Sequence, residues 1–175
     1  VNSGQIINAK VDKCFTHDPV LKELSDMFYK EFGENAKVWS PNRIALFQDH
    51  LVPAKDYNCR NMAIAMDKFA QKQKINHYYP YGCNFGVCHV VMCEQGHVLP
   101  GSVIVGTDSH SVTYGAFNAF GTGVGIVDML NIFATGKLWF RVPETMQVKI
   151  DGCLKQNIST KDVILTILSD IGMDG

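Results

Sequence analysis

Short apolar runs alternate along the chain with longer segments in which apolar residues recur at helical spacing. The runs predict β-strands at residues 6–11, 43–47, 77–79, 102–105 and 145–150. Helical spacing is clearest after Asp18 and Pro19, where Leu21, Leu24 and Phe28 share one face. Further helices are predicted at residues 59–69, 89–95 and 126–135. Strands that alternate with crossover helices indicate an α/β domain.

The predicted helices also carry end signals. Gly96 and Gly136 suit the left-handed position that closes a helix. Ser159, with Asp162 three residues later, predicts a capping box at the start of a last helix. The apolar face of that helix would consist of Val163, Ile164, Ile167, Leu168 and Ile171.

Composition then excludes several classes of protein. Apolar residues make up 46 % and charged residues 19 % of 175 residues, which excludes a disordered or fibrous chain. Lys and Arg number 16 against 17 Asp and Glu, so the net charge of −1 offers no basic field for nucleic acid or an anionic membrane. No apolar run reaches the roughly 20 residues that span a bilayer. We expect a single soluble domain in the cytoplasm, with a mitochondrial or plastid matrix as the alternative.

The six cysteines are too sparse for a disulfide scaffold, and free thiols in a reducing compartment are predicted. Cys83, Cys88 and Cys93 follow one another at equal spacing with His89 among them, so a metal-binding domain is one alternative function. The spacing matches neither the common zinc motifs nor the ferredoxin pattern, and buried structural cysteines are the favoured interpretation. No residue of the chain is assigned as a metal ligand.

A glycine-rich stretch from Gly101 to Gly125 contains the acid, hydroxyl and imidazole of Asp108, Ser109 and His110 after a predicted strand. Open α/β sheets bind ligands at such strand ends. A catalytic triad is disfavoured, because adjacent residues on one loop rarely face one another. Residues 121–125 resemble a phosphate loop only weakly, since they lack its glycine spacing and its lysine. A polar turn remains the plain alternative.

Asp49 and His50 form a second acid–imidazole combination. A neighbouring carboxylate favours the charged imidazole, which would make His50 a candidate general acid, although such dipeptides usually occur in surface turns. His17 and Asp18 repeat the pattern where a helix begins, and there Asp18 is equally well explained as a helix cap. His77 and His97 have no predicted partner.

The ordered motifs of the chain, taken together, resemble the aconitase superfamily, in particular the large subunits of 3-isopropylmalate dehydratase and homoaconitase. The resemblance covers nearly the whole chain and includes Gln48-Asp49-His50-Leu51-Val52-Pro53, Gly86-Val87-Cys88-His89 and Leu99-Pro100-Gly101. Its densest match is Gly106-Thr107-Asp108-Ser109-His110-Ser111-Val112-Thr113-Tyr114-Gly115-Ala116-Phe117. It implies a three-layer α/β/α domain, of which residues 1–175 would be an incomplete part with both ends truncated.

The resemblance also implies a reaction. Such enzymes are hydro-lyases that isomerise a hydroxy di- or tricarboxylate by dehydration and rehydration. The first substrate expected is 3-isopropylmalate, followed by homocitrate and citrate. A [4Fe-4S] cluster serves as the cofactor, and the partners would be the rest of the large subunit and a small subunit with the swivelling domain. The alternative is a catalytically inactive, aconitase-like binding or structural module.

Roles for single residues follow from the same resemblance. Asp49 and His50 would protonate the departing hydroxyl group, and His89 with Asp108 would form a second carboxylate–imidazole pair. Ser109 would hold a substrate carboxylate. His110 would be a third imidazole whose acidic partner lies outside the chain. His17 would contact substrate, although Pro19 and Val20 depart from the family motif that follows this histidine.

The cluster ligands of the family are not among these residues. They belong to a Gly-Ser-Cys-Thr-Asn segment and a Cys-x-x-Cys pair, and neither pattern occurs in the chain. The resemblance therefore implies that the cluster-binding cysteines lie outside this chain. It also implies that the isolated chain is inactive.

Overall fold

A computed structural model describes residues 1–172. Its strands are β1 (Ile6–Lys10), β2 (Lys13–His17), β3 (Ile44–Phe47), β4 (His77–Tyr79), β5 (Val103–Gly106), β6 (Phe120–Gly123) and β7 (Lys137–Arg141). Its helices are α1 (Asp18–Phe32), α2 (Tyr57–Gln73), α3 (Cys88–Glu94), α4 (Ile126–Thr135) and α5 (Thr160–Ile171), with short 3₁₀ helices at Pro41–Arg43 and Ser109–Phe117. None of the helices within residues 1–172 is both long and apolar enough to cross a membrane.

Five strands form a parallel sheet in the order β4-β3-β2-β5-β6. The order places β2 at the centre, where His17 pairs with Phe47 of β3 and Phe15 pairs with Gly106 of β5. Because the strands are parallel, all their carboxyl ends meet at one edge of the sheet. A separate antiparallel pair joins β1 to β7.

Successive strand residues point to opposite faces of the sheet, and both faces are covered. Cys14 and Ile44 pack in one cluster with α1, α2 and α4, whose buried side chains include Leu24, Met66 and Phe133. The residues that follow them, Phe15 and Ala45, pack in a second cluster with α3 and Tyr114 of the Ser109–Phe117 helix. The predicted α/β class with helices on both faces is confirmed.

Most predicted elements are present, with one clear error. Residues 145–150, predicted as a strand, have no regular secondary structure and are exposed to solvent. Their sequence alternates as a strand would, but within the described residues no partner strand pairs with them. The prediction also missed β2, β6 and β7. In β2 the polar residues Thr16 and His17 are buried, so an apolar run is not visible there.

The chain folds as two compact units, residues 1–142 and the remainder from Pro143. The first contains both sheets and all the described residues with buried side chains. The second contains α5, which begins with the predicted capping box of Ser159 and Asp162.

Candidate active site

The carboxyl edge of the parallel sheet gathers the imidazoles and carboxylates singled out in the sequence. His17 ends β2, Asp49 and His50 follow β3, and Asp108 follows β5. His89 joins them from the first turn of α3. Topology therefore brings together residues that are far apart in the chain.

Asp108 is the centre of this cluster. Its Oδ1 lies 3.0 Å from Nε2 of His89 and 3.1 Å from Nδ1 of His110, and its Oδ2 lies 3.3 Å from Nε2 of His50. The backbone N–H of His110 also donates to Oδ1 at 2.7 Å. One carboxylate thus faces three imidazoles.

Among these imidazoles, Asp49 contacts only that of His50. Its Oδ1 lies 2.8 Å from Nδ1 of His50, and its Oδ2 accepts a 2.7 Å hydrogen bond from the N–H of Cys88, the first residue of α3. The Asp49 side chain is only 2 % exposed, whereas that of His50 is 37 % exposed. A buried carboxylate therefore orients an imidazole that solvent can reach.

Asp18 holds the loop that carries His50. Its two carboxylate oxygens accept hydrogen bonds from the N–H groups of His50 and Leu51, at 3.1 and 2.8 Å. The suggestion that Asp18 caps its own helix is wrong, because His17 occupies the cap position and Asp18 instead binds the neighbouring loop. The sequence does not indicate this positioning role. It depends on the pairing of β2 with β3, which brings Asp18 next to the loop after β3.

The electrostatics of the cluster favour a negative Asp108 and a positive His50. Burial penalises the charge on Asp108, but hydrogen bonds from His110 and His89 outweigh that penalty and lower the pKa of Asp108 to about 2. Burial likewise opposes the charge on His50, but the hydrogen bond and charge of Asp49, with help from Asp18 and Asp108, raise the pKa of His50. A proton on His50 is thereby stabilised.

His17 lies behind His50. The two rings stack with centroids 4.0 Å apart, and Nε2 of His17 is 4.0 Å from Asp108 Oδ2. Burial, together with the neighbouring charge on His50, lowers the pKa of His17. Its Nδ1 is buried and has no hydrogen-bond partner among the described residues. In this arrangement His17 supports the His50 ring from the protein side, and its contact with substrate stays a prediction.

Tyr114 is a member of the site that sequence reasoning did not select. Its buried hydroxyl lies 3.1 Å from Nδ1 of His89, on the opposite side of the ring from Asp108. Phe15 packs edge-on against both rings. A Tyr hydroxyl that donates to Nδ1 leaves the proton of a neutral His89 on Nε2, directed at Asp108.

A serine triad is not formed at Asp108, Ser109 and His110. Ser109 Oγ and Asp108 Oδ1 approach the same nitrogen, Nδ1 of His110, at 3.4 and 3.1 Å. A triad needs its serine and its acid on opposite ring nitrogens. The sequence argument against the triad is a different one, that adjacent residues on one loop rarely face one another. Asp108 and His110 are an exception, because their contact gives His110 a carboxylate neighbour inside the chain.

The glycines near this loop allow close packing between strands. A Cβ on Gly123 would lie 2.6 Å from the carbonyl oxygen of Asp108, and one on Gly121 would lie 2.3 Å from that of Ser111. Gly121 and Gly123 belong to β6, beside β5. Their role here is to let β6 approach the loop that carries Asp108.

The cysteines do not form a metal centre. All six are free in the structure, as predicted, with Cys88 buried in the core and Cys83 exposed rather than buried as expected. Burial and the Asp49 carboxylate raise the pKa of Cys88, which disfavours the metal-binding thiolate. Among the described residues, three-ligand groups with atoms within 4.8 Å of one another contain only His and Asp. The chain's own residues therefore do not fit the thiolate ligand set of an iron–sulfur cluster, and the cysteine metal site is not supported.

Comparison with known proteins supports the family resemblance of the motifs that lie at this edge of the sheet. A sequence model of the aconitase family (aconitate hydratase) matches residues 3–175. The chain belongs to the aconitase family.

Three members of the aconitase family that are similar to this chain are named as large subunits. The chain is 45 % identical over 175 residues to the probable 3-isopropylmalate dehydratase large subunit of Methanothermobacter thermautotrophicus, covering 100 % of this chain and 41 % of that protein. It is 44 % identical over 179 residues to the probable methanogen homoaconitase large subunit of the same organism, with coverage of 100 % and 41 %. A third relative, the 3-isopropylmalate dehydratase large subunit 1 of Methanopyrus kandleri, is 44 % identical over 173 residues, with coverage of 99 % and 40 %.

Two features of these aconitase-family matches limit what they imply. The chain spans about 41 % of the length of the first relative, so an activity of the whole relative involves residues beyond the matched segment. Two differently named relatives from one organism are also nearly equally similar, at 45 % and 44 % identity. Overall similarity therefore does not choose between their substrates.

Proposed function

We propose that the chain forms part of the active site of a hydro-lyase that isomerises a hydroxy di- or tricarboxylate by dehydration and rehydration. The observation that carries the proposal is the contact of one carboxylate, Asp108, with the imidazoles of His50, His89 and His110. Hydroxide is a poor leaving group, so its departure needs a proton donor, and an imidazole acts as one in its charged form. We propose 3-isopropylmalate as the first substrate to test, then homocitrate and citrate. Relatives named 3-isopropylmalate dehydratase and homoaconitase support the first two as candidates.

In this proposal His50 is the proton donor. Asp49 contacts Nδ1, and Nε2 lies 3.3 Å from Asp108 Oδ2, while the His50 side chain is partly exposed to solvent. During dehydration, the proton on Nε2 passes to the hydroxyl oxygen of the substrate, the C–O bond breaks, and water leaves. A base outside this chain removes the proton from the adjacent carbon, and the electron pair of that C–H bond forms the double bond. Rehydration reverses these steps with the hydroxyl group on the neighbouring carbon.

Ser109 and His110 would bind the substrate. Both are exposed, and the His110 side chain is 81 % exposed, so a ligand can reach them without rearrangement. The Ser109 hydroxyl and the His110 imidazole can both donate to a carboxylate. His89 is less exposed and lies between Asp108 and Tyr114. It would orient the neighbouring groups of the site.

The cofactor and the partners belong to the proposal for the intact enzyme. We place the cysteine ligands of a [4Fe-4S] cluster outside these 175 residues, together with the rest of the large subunit. A small subunit would supply the swivelling domain. The relatives named as large subunits support such a partner.

Substitution of His50 tests the proposal. The full-length protein that contains this chain is reconstituted with iron, sulfide and its small subunit, and is assayed with 3-isopropylmalate, homocitrate and citrate. We expect His50→Asn to lower kcat by about 100-fold to 10,000-fold, because a positioned general acid contributes on that order. Iron–sulfur absorbance should persist, since His50 is not a cluster ligand.

Lys30→Gln is the matched control, because the exposed Lys30 side chain on α1 makes no hydrogen bond or ion pair within residues 1–172. It should leave kcat within twofold of the unsubstituted enzyme. Activity retained in His50→Asn would contradict the assigned role. A reconstituted protein that shows neither an iron–sulfur spectrum nor turnover of any of the three acids would favour the inactive binding or structural module.

A further inference from the structure

A sizeable cavity lies at the opposite edge of the sheet from Asp108. Its volume is about 680 Å³, and its lining includes Lys13 at the start of β2, His77 at the start of β4, and residues 99–102 before β5. Cavities of this size accommodate small organic ligands. None of the residues assigned to the proposed hydro-lyase site lines it.

Basic side chains surround this cavity. Lys13, Arg43, His77 and His97 all line it, whereas Asp12 is the only carboxylate among the described residues that do so. Both oxygens of Asp12 are engaged, one by Arg43 at 3.4 Å and the other by the N–H of Val103 at 3.0 Å. Lys13 donates to the carbonyl oxygen of Asn42 at 3.0 Å, and within residues 1–172 no carboxylate forms an ion pair with it.

The pKa values of Lys13, His77 and His97 are all lowered, mainly by burial. Burial and the nearby Arg43 lower the pKa of Lys13 to about 8, although Cys14 opposes the shift. Burial and the charge on Lys13 lower the pKa of His77, against a backbone hydrogen bond that raises it. Burial, with the charges on Lys13 and His77, lowers the pKa of His97 to about 4. Burial is thus the main cause of these shifts, and an anion bound beside Lys13 and Arg43 would compensate their positive charges.

The other residues that line the cavity indicate what kind of ligand would fit. His97 is held in place by Tyr79, whose hydroxyl lies 2.6 Å from Nε2, so the expectation that His97 has no partner is wrong. Its ring also packs edge-on against His77. Leu99, Pro100 and Ile104 contribute an apolar wall to the same cavity. A fitting ligand would combine an anionic group with a short apolar part.

We propose that this cavity binds a small organic anion, through a carboxylate or phosphate group that contacts Lys13 and Arg43. The site is independent of the hydro-lyase proposal. A bound anion favours the charged form of Lys13, so binding should take up protons above neutral pH. Affinity should fall as the pH rises through the pKa of Lys13, near 8. Tyr79, Asp12 and the two histidines are the other titratable groups at this cavity.

Histidine NMR signals provide a local test. The full chain has six histidines, two in this cavity and four at the carboxyl edge, and each signal can be assigned by single His→Asn variants. Inorganic phosphate and butyrate are titrated separately, at an ionic strength matched with sodium chloride. We expect saturable shifts of the His77 and His97 signals, with affinity reduced about tenfold by Arg43→Gln and by Lys13→Met. The tighter of the two probes identifies the preferred anionic group.

Lys30→Gln controls for net charge and should leave both titrations unchanged. Arg43 is partly exposed, so Arg43→Gln keeps the test available if Lys13→Met fails to fold. The proposal is overturned if neither anion shifts His77 and His97, if all six signals move alike, or if Arg43→Gln binds as tightly as the unsubstituted chain.

Discussion

At the scale of single residues, two carboxylates have different tasks. Asp108 contacts three imidazoles, so its replacement would disturb all three contacts together. Asp49 contacts one imidazole and one backbone N–H, and both contacts serve to place and charge His50. Asp49 is therefore the residue whose replacement can be interpreted most directly.

We expect Asp49→Asn to lower the pKa of His50, because it removes the hydrogen-bonded charge that raises it. Asparagine can still accept the hydrogen bond from Cys88, so the loop should persist. NMR titration of the His50 signal measures the change. In the full enzyme, the alkaline limb of the kcat profile should move to lower pH.

The upward shift of the His50 pKa also predicts how the stability of the fold depends on pH. A histidine with a raised pKa in the folded state stabilises the fold below its unfolded pKa of about 6.5. That contribution is lost as pH rises through the folded pKa. The destabilisation of Asp49→Asn, measured by urea unfolding, should therefore be larger in acid than in alkali. An unchanged His50 titration would contradict this account, and Asp26→Asn, an exposed carboxylate paired with Lys22, serves as the control.

At the scale of elements, the position of Asp108 depends on how closely β6 approaches the loop after β5. The backbone carbonyl groups of Asp108 and Ser111 occupy space that side chains at Gly123 and Gly121 would need. Ser111 reinforces the loop by donating from Oγ to the carbonyl oxygen of Asp108 at 2.7 Å. The glycines of β6 are thus explained by packing.

We expect Gly121→Ala to destabilise the fold by about 1–3 kcal/mol, the usual cost of overpacking. The rigid backbone of Ser111 cannot yield as a flexible side chain would. Gly115→Ala is the matched control, because Gly115 is exposed, its φ is not positive and nothing lies within 4 Å of its Cβ position. Urea unfolding compares the two variants. Equal stabilities would show that β6 can shift away from the loop at little cost.

At the scale of the whole molecule, the chain presents only a part of the active site proposed above. The cluster around Asp108 supplies acids and imidazoles, while none of the three-ligand groups in residues 1–172 contains a thiolate. In the second unit, no described residue is buried, and Ile150, Leu154 and Ile164 expose apolar side chains. Such surface is typical of a chain that packs against further protein.

We therefore expect the isolated 175-residue chain not to dehydrate 3-isopropylmalate. The assay follows formation of the alkene, with the reconstituted full-length protein and small subunit as the positive control. Turnover by the isolated chain would contradict the division of roles between this chain and the proposed cluster and base. NMR of the same sample would confirm that the His50 environment is intact.

The predictions from sequence succeeded where a local pattern carries the information. Helix α4 was placed at its observed bounds because apolar spacing and Gly136 define its face and its end. The strand at β2 was missed because its buried Thr16 and His17 are polar residues in a central position, and only their neighbours in the sheet explain them. The strand predicted at residues 145–150 failed for the opposite reason, since its alternation has no partner.

The sequence alone determined the α/β class, the Asp49–His50 pair and the family resemblance, because each depends on residues close together in the chain. Only the tertiary structure decided that Asp108 is shared by His50, His89 and His110, and that Asp18 and Tyr114 support them. Likewise, it alone gathered Lys13, Arg43, His77 and His97 around one cavity. The reason is the parallel sheet, which brings distant strand ends together at its two edges, whereas local sequence patterns carry no record of which strands are neighbours.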